Sequence, residues 1–313
     1  MAAGATLENL LLVVVCLVVG ALARRSGRFP EATPTVLTRV VIDVALPALT
    51  IVAIRGVDFS TTPSEQLLMA LLTPWVVLVV AMLVLIPLGR ALGWSREVTA
   101  CLLLTAGLAN TSFVGFPLVE ALYGKAGLAM AVWVDQGQFI VLASAGVLIA
   151  AYGSGQGRPS LASMTRKLVT FPPFIAFVAA LLLHSVAFPK ALTLTLEGLA
   201  VLVVPLALLS VGFQLRLDMA ALAQDGAKTA IGLCVRLLIA PAVVAALLLL
   251  WLGQPGRATS VTIAEAAMAP MITGALLAIE AGLSPRLASL MVGLGVPISL
   301  MTVPAWAWAL ARF

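Results

Sequence analysis

Leu108-Ala109-Asn110-Thr111-Ser112-Phe113-Val114-Gly115-Phe116-Pro117-Leu118 is the stretch whose reading decides the fold of this chain. It places Asn, Thr, Gly and Pro inside a run otherwise apolar enough to cross a bilayer. A helix in lipid must satisfy its own backbone hydrogen bonds. Gly and Pro disturb that ladder, so they are tolerated where backbone is buried in protein or faces water. A transmembrane helix broken at a polar step is how many secondary transporters build a binding site at mid-membrane.

The surrounding composition agrees. Of 313 residues, 62% are hydrophobic and only 10% charged, against about 25% charged residues in a soluble domain. The class is therefore an all-α integral membrane protein. The net charge of +5 does not argue for a nucleic-acid partner, because the basic residues sit in short loops between apolar runs, where they orient a protein in the bilayer. Cys16, Cys101 and Cys234 lie within apolar runs and read as small buried hydrophobes rather than disulfide partners. No metal-ligand cluster, phosphate-binding glycine loop or nucleophile with a positioned base is present, so neither an ATP-driven pump nor an enzyme is expected, and no cofactor.

Ten apolar segments are long enough to span: roughly 6–23, 33–54, 66–90, 98–123 and 127–152, then 168–187, 195–215, 228–252, 258–281 and 285–311. The Gly/Ser/Pro-rich run from Gly153 to Ser160 begins a linker near the midpoint. This divides the chain into a first five-helix repeat (1–152), a linker (153–167) and a second repeat (168–313). The odd loops carry Arg24, Arg25, Arg28, Arg90, Arg96, Arg158, Arg166, Lys167, Arg216, Lys228 and Arg286, whereas the even loops and termini carry Arg55, Lys125, Lys190, Arg257 and Arg312. Lys and Arg favour the cytoplasmic side. Both termini are therefore expected to be extracytoplasmic, in a multi-pass protein of the plasma (inner) membrane.

The two halves resemble each other. Leu46-Pro47-Ala48-Leu49 in the second segment is echoed by Val204-Pro205-Leu206-Ala207 in the seventh, and the break of the fourth by Glu265-Ala266-Ala267-Met268-Ala269-Pro270-Met271-Ile272-Thr273-Gly274 in the ninth. Five is an odd number, so the second half would enter the membrane inverted. Beyond each break a new half-helix starts with unpaired N–H groups and a positive dipole end, which attracts a carboxylate. Asn110, Thr111 and Thr273 add side-chain donors. The half-helices before the breaks end in carbonyls that favour a cation.

Acidic residues inside spans point to function. Asp135 and Glu265 either couple transport to a cation or proton, or serve as buried structural partners. Asp43 is expected to pair with Arg39 one turn away. Arg236 either snorkels to the surface or neutralises Asp135 or Glu265.

With these residues in view, the chain resembles the auxin efflux carrier family, which includes the plant PIN-formed auxin transporters and bacterial malonate or malate permeases. The likeness rests on the Asn110-Thr111 to Gly115-Phe116-Pro117-Leu118 block with Tyr123-Gly124, on Pro205 to Gly212, and on Phe171-Pro172-Pro173. The resemblance implies two inverted five-helix repeats with broken, crossing helices four and nine, as in bile-acid/sodium symporters and sodium/proton antiporters. It implies a small carboxylate held by Asn110 with Gln136, Gln138 and Thr50 nearby, and Pro117 and Pro270 as crossover prolines beside Met271. The family's ninth-segment proline usually follows Ala-Met directly, whereas this chain reads Ala267-Met268-Ala269-Pro270. Transport of small organic anions is the expected function, with sodium or protons as the coupling ion and a homodimer left open. A sodium-coupled bile-acid or sterol symporter and a cation/proton antiporter are the alternatives.

Overall fold

The computed structural model describes residues 3–155, 159–215, 219–252 and 256–312. Arg158 and Arg216, counted above as loop charges, and the centre of the expected linker lie outside the described residues. Those residues are almost entirely helical. In chain order the helices are α1 (Ala3–Arg25), α2 (Thr33–Arg55), α3 (Ser64–Ala91), α4 (Arg96–Ala106), α5 (Phe116–Tyr123), α6 (Lys125–Ser154) and α7 (Leu161–Val169). They continue with α8 (Pro172–Leu182), α9 (Lys190–Gln214), α10 (Met219–Trp251), α11 (Arg257–Ala266), α12 (Ile272–Glu280) and α13 (Pro285–Leu310). Among the described residues, six helices are long and apolar enough to cross a membrane, or seven if α7 and α8, bent by 64° at their junction, count as one.

Proline sets much of the internal geometry. Wide π turns at Val41–Ala45, Thr111–Gly115 and Val235–Ile239 each end two residues before a proline: Pro47, Pro117 and Pro241. Proline has no N–H, and its ring clashes with the carbonyl four residues back. A wider turn relieves that clash, as π-bulges do where a helix ladder is interrupted. A fourth wide turn, Leu142–Gly146, has no following proline. There Ser144 Oγ donates to Ile140 O at 2.5 Å.

One expectation is overturned. Arg39 and Asp43 are both exposed and form no ion pair. Exposed to the surroundings rather than held against one another, the two side chains gain little from pairing. Among the described residues the ion pair is Lys228–Asp225, at 2.6 Å. Lys228 therefore lies inside α10, which starts nine residues before the expected 228, and is not a loop charge.

Contacts sort the connections into two groups. Arg24 Nη1 donates to Leu215 O, and Arg286 Nη1 to Gln224 Oε1. Arg55 bonds the carbonyls of Leu183 and Val186, and His184 Nε2 meets Val57 O at 2.9 Å. The end of α1 thus lies beside the end of α9, the start of α10 beside that of α13, and the α2–α3 connection beside the α8–α9 connection.

Side chains of α1, α2, α5, the first half of α6, α9 and α11 build one apolar core, and those of α3, α4, α10, α12 and α13 a second. Glycine permits the tightest approach. A Cβ at Gly212 of α9 would collide with the Leu17 carbonyl of α1, and one at Gly20 with the Leu209 carbonyl.

Candidate functional site: the crossing of two broken helices

The first break begins where Gly107 caps α4, its N–H bonding Leu103 O at 2.9 Å. Asn110 starts the next helical stretch as an N-cap, its Oδ1 accepting from Phe113 N at 3.2 Å, as capping residues do. The second break runs from Ala267 to Met271, and Pro270 prevents continuation. The breaks then touch. Asn110 N donates to Ala269 O at 2.9 Å, and Met271 N to Leu108 O at 3.0 Å, making an antiparallel bridge between Ala109 and Pro270.

Side chains from two other helices satisfy the backbone groups this bridge leaves over. Gln138 Oε1 of α6 accepts from Ala109 N at 3.0 Å. Arg236, fully buried on the π turn of α10, donates through Nε to Met268 O at 3.0 Å, through Nη1 to Ala106 O at 3.3 Å and through Nη2 to Ala266 O. Arg236 therefore neither snorkels nor forms an ion pair with Asp135 or Glu265. Its guanidinium binds the carbonyl ends of both half-helices, because those ends carry negative dipole charge.

A cavity of about 160 Å³ opens beside the crossing. Asn110, Thr111, Met271 and Thr273, named from the sequence as candidates for the substrate site, line it, and Ser112, Phe113, Ile272, Thr38, Phe139, Phe171 and Gln214 join them. Phe139 and Phe171 stack at 3.6 Å and form its aromatic wall. The cavity runs toward Pro34, Thr35 and Gln214, the end where Arg24 reaches Leu215. A second cavity, of about 580 Å³, lies among Asp58, Thr61, Gln66, Trp133 and Arg257, at the end where Arg55 and His184 make their contacts.

Asn110 Nδ2 is buried and has no partner. Thr111 and Ser112 hydroxyls both donate to Asp135 Oδ1, the former at 2.5 Å. Both Glu265 oxygens are buried without a partner, against the bare Cα of Gly115. Glu265 lies within electrostatic reach of Asp135 and Arg236, so the three form one buried cluster of ionisable groups behind the cavity.

The remaining expected residues stand apart from the cavity. Thr50 is buried in α2 and Gln136 in α6, the latter with both amide atoms unpartnered. Gln138 acts on the break itself. Pro117 is not at the crossing: it opens α5, one wide turn beyond, and Ala109 is the residue that faces Pro270. The wide turn carries the chain from the crossing to α5 and so displaces the proline. Phe171 has no site role in the sequence reading because it lies far along the chain; an aromatic just before Pro172-Pro173, at the mouth of a helix, is the available signal.

Broken helices whose interrupted backbones meet in the protein interior, together with the six or seven helices among the described residues that are long and apolar enough to span, fit a membrane transporter. The chain belongs to the family described as "Membrane transport protein", the auxin efflux carrier family, which matches residues 5–307. It is 29% identical over 303 residues to an uncharacterized transporter of Methanothermobacter thermautotrophicus, covering 96% of this chain and 97% of that one. It is 25% identical over 315 residues to an uncharacterized transporter of Methanocaldococcus jannaschii, covering 97% and 98%.

Proposed function

We propose that this protein is a secondary transporter of small organic anions, carboxylates of the malonate, malate or auxin type, and that it works by alternating access. The supporting observation is the buried Asn110 Nδ2 donor, unpartnered at the rim of a cavity onto which two helix starts open. First-turn N–H groups lack intrahelical partners and favour an anion. Asn110, Thr111 and Thr273 hold the carboxylate, and Met271 and the Phe139–Phe171 wall receive its apolar body. Gly115, Pro117 and Pro270 shape the backbone that presents these groups. Thr50, Gln136 and Gln138 support the site from behind.

The topology that suits this reading is ten spans in two inverted repeats, 1–152 and 168–313, joined by 153–167, in the plasma membrane with both termini outside. Cavities at opposite ends of the molecule, with the crossing between them, suit a site exposed to one side at a time. Asp135 and Glu265 are the groups proposed to couple transport to a cation or proton. A homodimer is compatible with this arrangement.

Proteoliposome uptake of labelled carboxylates tests the proposal. Asn110→Ala lowers uptake at least tenfold while the protein still folds, and undiminished uptake removes Asn110 from the site. The unpartnered Glu265 favours a second reading, cation/proton exchange without organic substrate. It requires that Asp135→Asn abolish pH-driven cation flux and that carboxylates have no effect. A sterol-type symporter fits less well, because about 160 Å³ is small beside the roughly 300–1,000 Å³ of sites for larger ligands.

A further inference from the structure

We propose that the Arg236 guanidinium is a built-in cation that takes the place an alkali coupling ion would occupy at the crossing, so that this protein does not run on sodium. The inference rests on the reading of the crossing as the transport site and narrows its choice of coupling ion.

The chain ends of two half-helices converge there. Such ends concentrate negative charge on carbonyls that have lost their helical partners. In transporters built on broken helices, those carbonyls are the groups that coordinate sodium. In this chain one guanidinium is bonded to three of the carbonyls there: Ala106 O at the end of α4, and Ala266 O and Met268 O at and just beyond the end of α11. The planar fork of an arginine reaches several acceptors at once and keeps its charge.

A buried charge is costly unless it is paired and hydrogen-bonded. Arg236 is fully buried. The carbonyl ends of two half-helices supply the negative potential that holds it there. It does not line the cavity, so it is a positioning residue and not the substrate's own counter-charge. It is fixed to α10 and joins the two half-helices. A sodium ion bound by these three oxygens would have to displace it.

Thermal melting of the purified full-length protein, in equimolar sodium, potassium and choline chloride, tests this without any organic substrate. A ligand that binds only the folded state raises the melting temperature by mass action. Wild-type protein is expected to melt at one temperature in all three salts. Arg236→Ala is expected to melt lower, and to regain several degrees in sodium chloride or low-millimolar methylguanidinium but not in choline chloride. A sodium-specific rise in the wild type overturns the proposal. So does an Arg236→Ala variant as stable as wild type, or one that is destabilised and indifferent to every cation. Should Arg236→Ala fail to fold, Arg236→Lys takes its place: a sodium-indifferent melt supports the proposal and a sodium-responsive one overturns it. Loss of this inference leaves the Asn110 uptake test intact, and the converse also holds.

Discussion

Ala109 and Pro270 face each other as an antiparallel bridge in a helical protein, with hydrogen bonds on either side of the pair and none between the two residues themselves. At such a non-hydrogen-bonded position a residue's own N–H points away from its partner strand. Proline has no N–H to lose there. Ala109 does, and its N–H is accepted by Gln138. The asymmetry explains why one break carries a proline at the crossing and the other carries an alanine backed by a glutamine.

Gln138→Leu tests that relationship. The substitution keeps the volume but orphans the buried Ala109 N–H, which costs about 1–3 kcal/mol. A lowered melting temperature in detergent is expected, along with slower carboxylate uptake, because the crossing loses its lateral support.

Gly115→Ala forces a Cβ into the Glu265 carboxyl. Overpacking of this kind costs about 1–3 kcal/mol. The double variant Gly115→Ala/Glu265→Ala should recover part of that loss and Gly115→Ala/Glu265→Gln should not, because glutamine fills the same space. A double-mutant cycle on melting temperature measures the coupling.

Phe171→Ala removes one face of the stacked pair lining the cavity. The ring contact is worth about 0.5–1.5 kcal/mol, so weaker retention of a small acid is expected. Competition assays across carboxylates of increasing size should show preference moving toward the bulkier ones.

Two glycines of α9 should respond in opposite directions. Gly212→Ala drives a methyl group into the Leu17 carbonyl and separates α1 from α9, a loss of about 1–3 kcal/mol. Nothing lies within contact distance of a methyl group at Gly198, inside a helical stretch. Gly198→Ala should therefore gain about 0.5–1 kcal/mol. Melting curves of the two variants distinguish a packing glycine from an idle one.

Local chemistry by itself determined several features of this protein. Apolar runs with few charges must become membrane helices. Asn110, Gly115, Pro117 and Pro270 mark where those helices are open to interruption, because Gly and Pro disturb the backbone ladder. The presence of Asn110, Thr111, Met271 and Thr273 near the breaks followed from the same reasoning. Register and partnership were decided only in three dimensions. Arg39 and Asp43 stay apart at the surface, and the π turn before Pro117 lies between that proline and the crossing; a one-residue widening leaves little trace in hydrophobic periodicity. The partners of Arg236 were hidden for another reason. Carbonyl ends of helices attract a cation through backbone charge, which every residue type carries alike, so no side-chain pattern marks Ala106, Ala266 and Met268 as its acceptors.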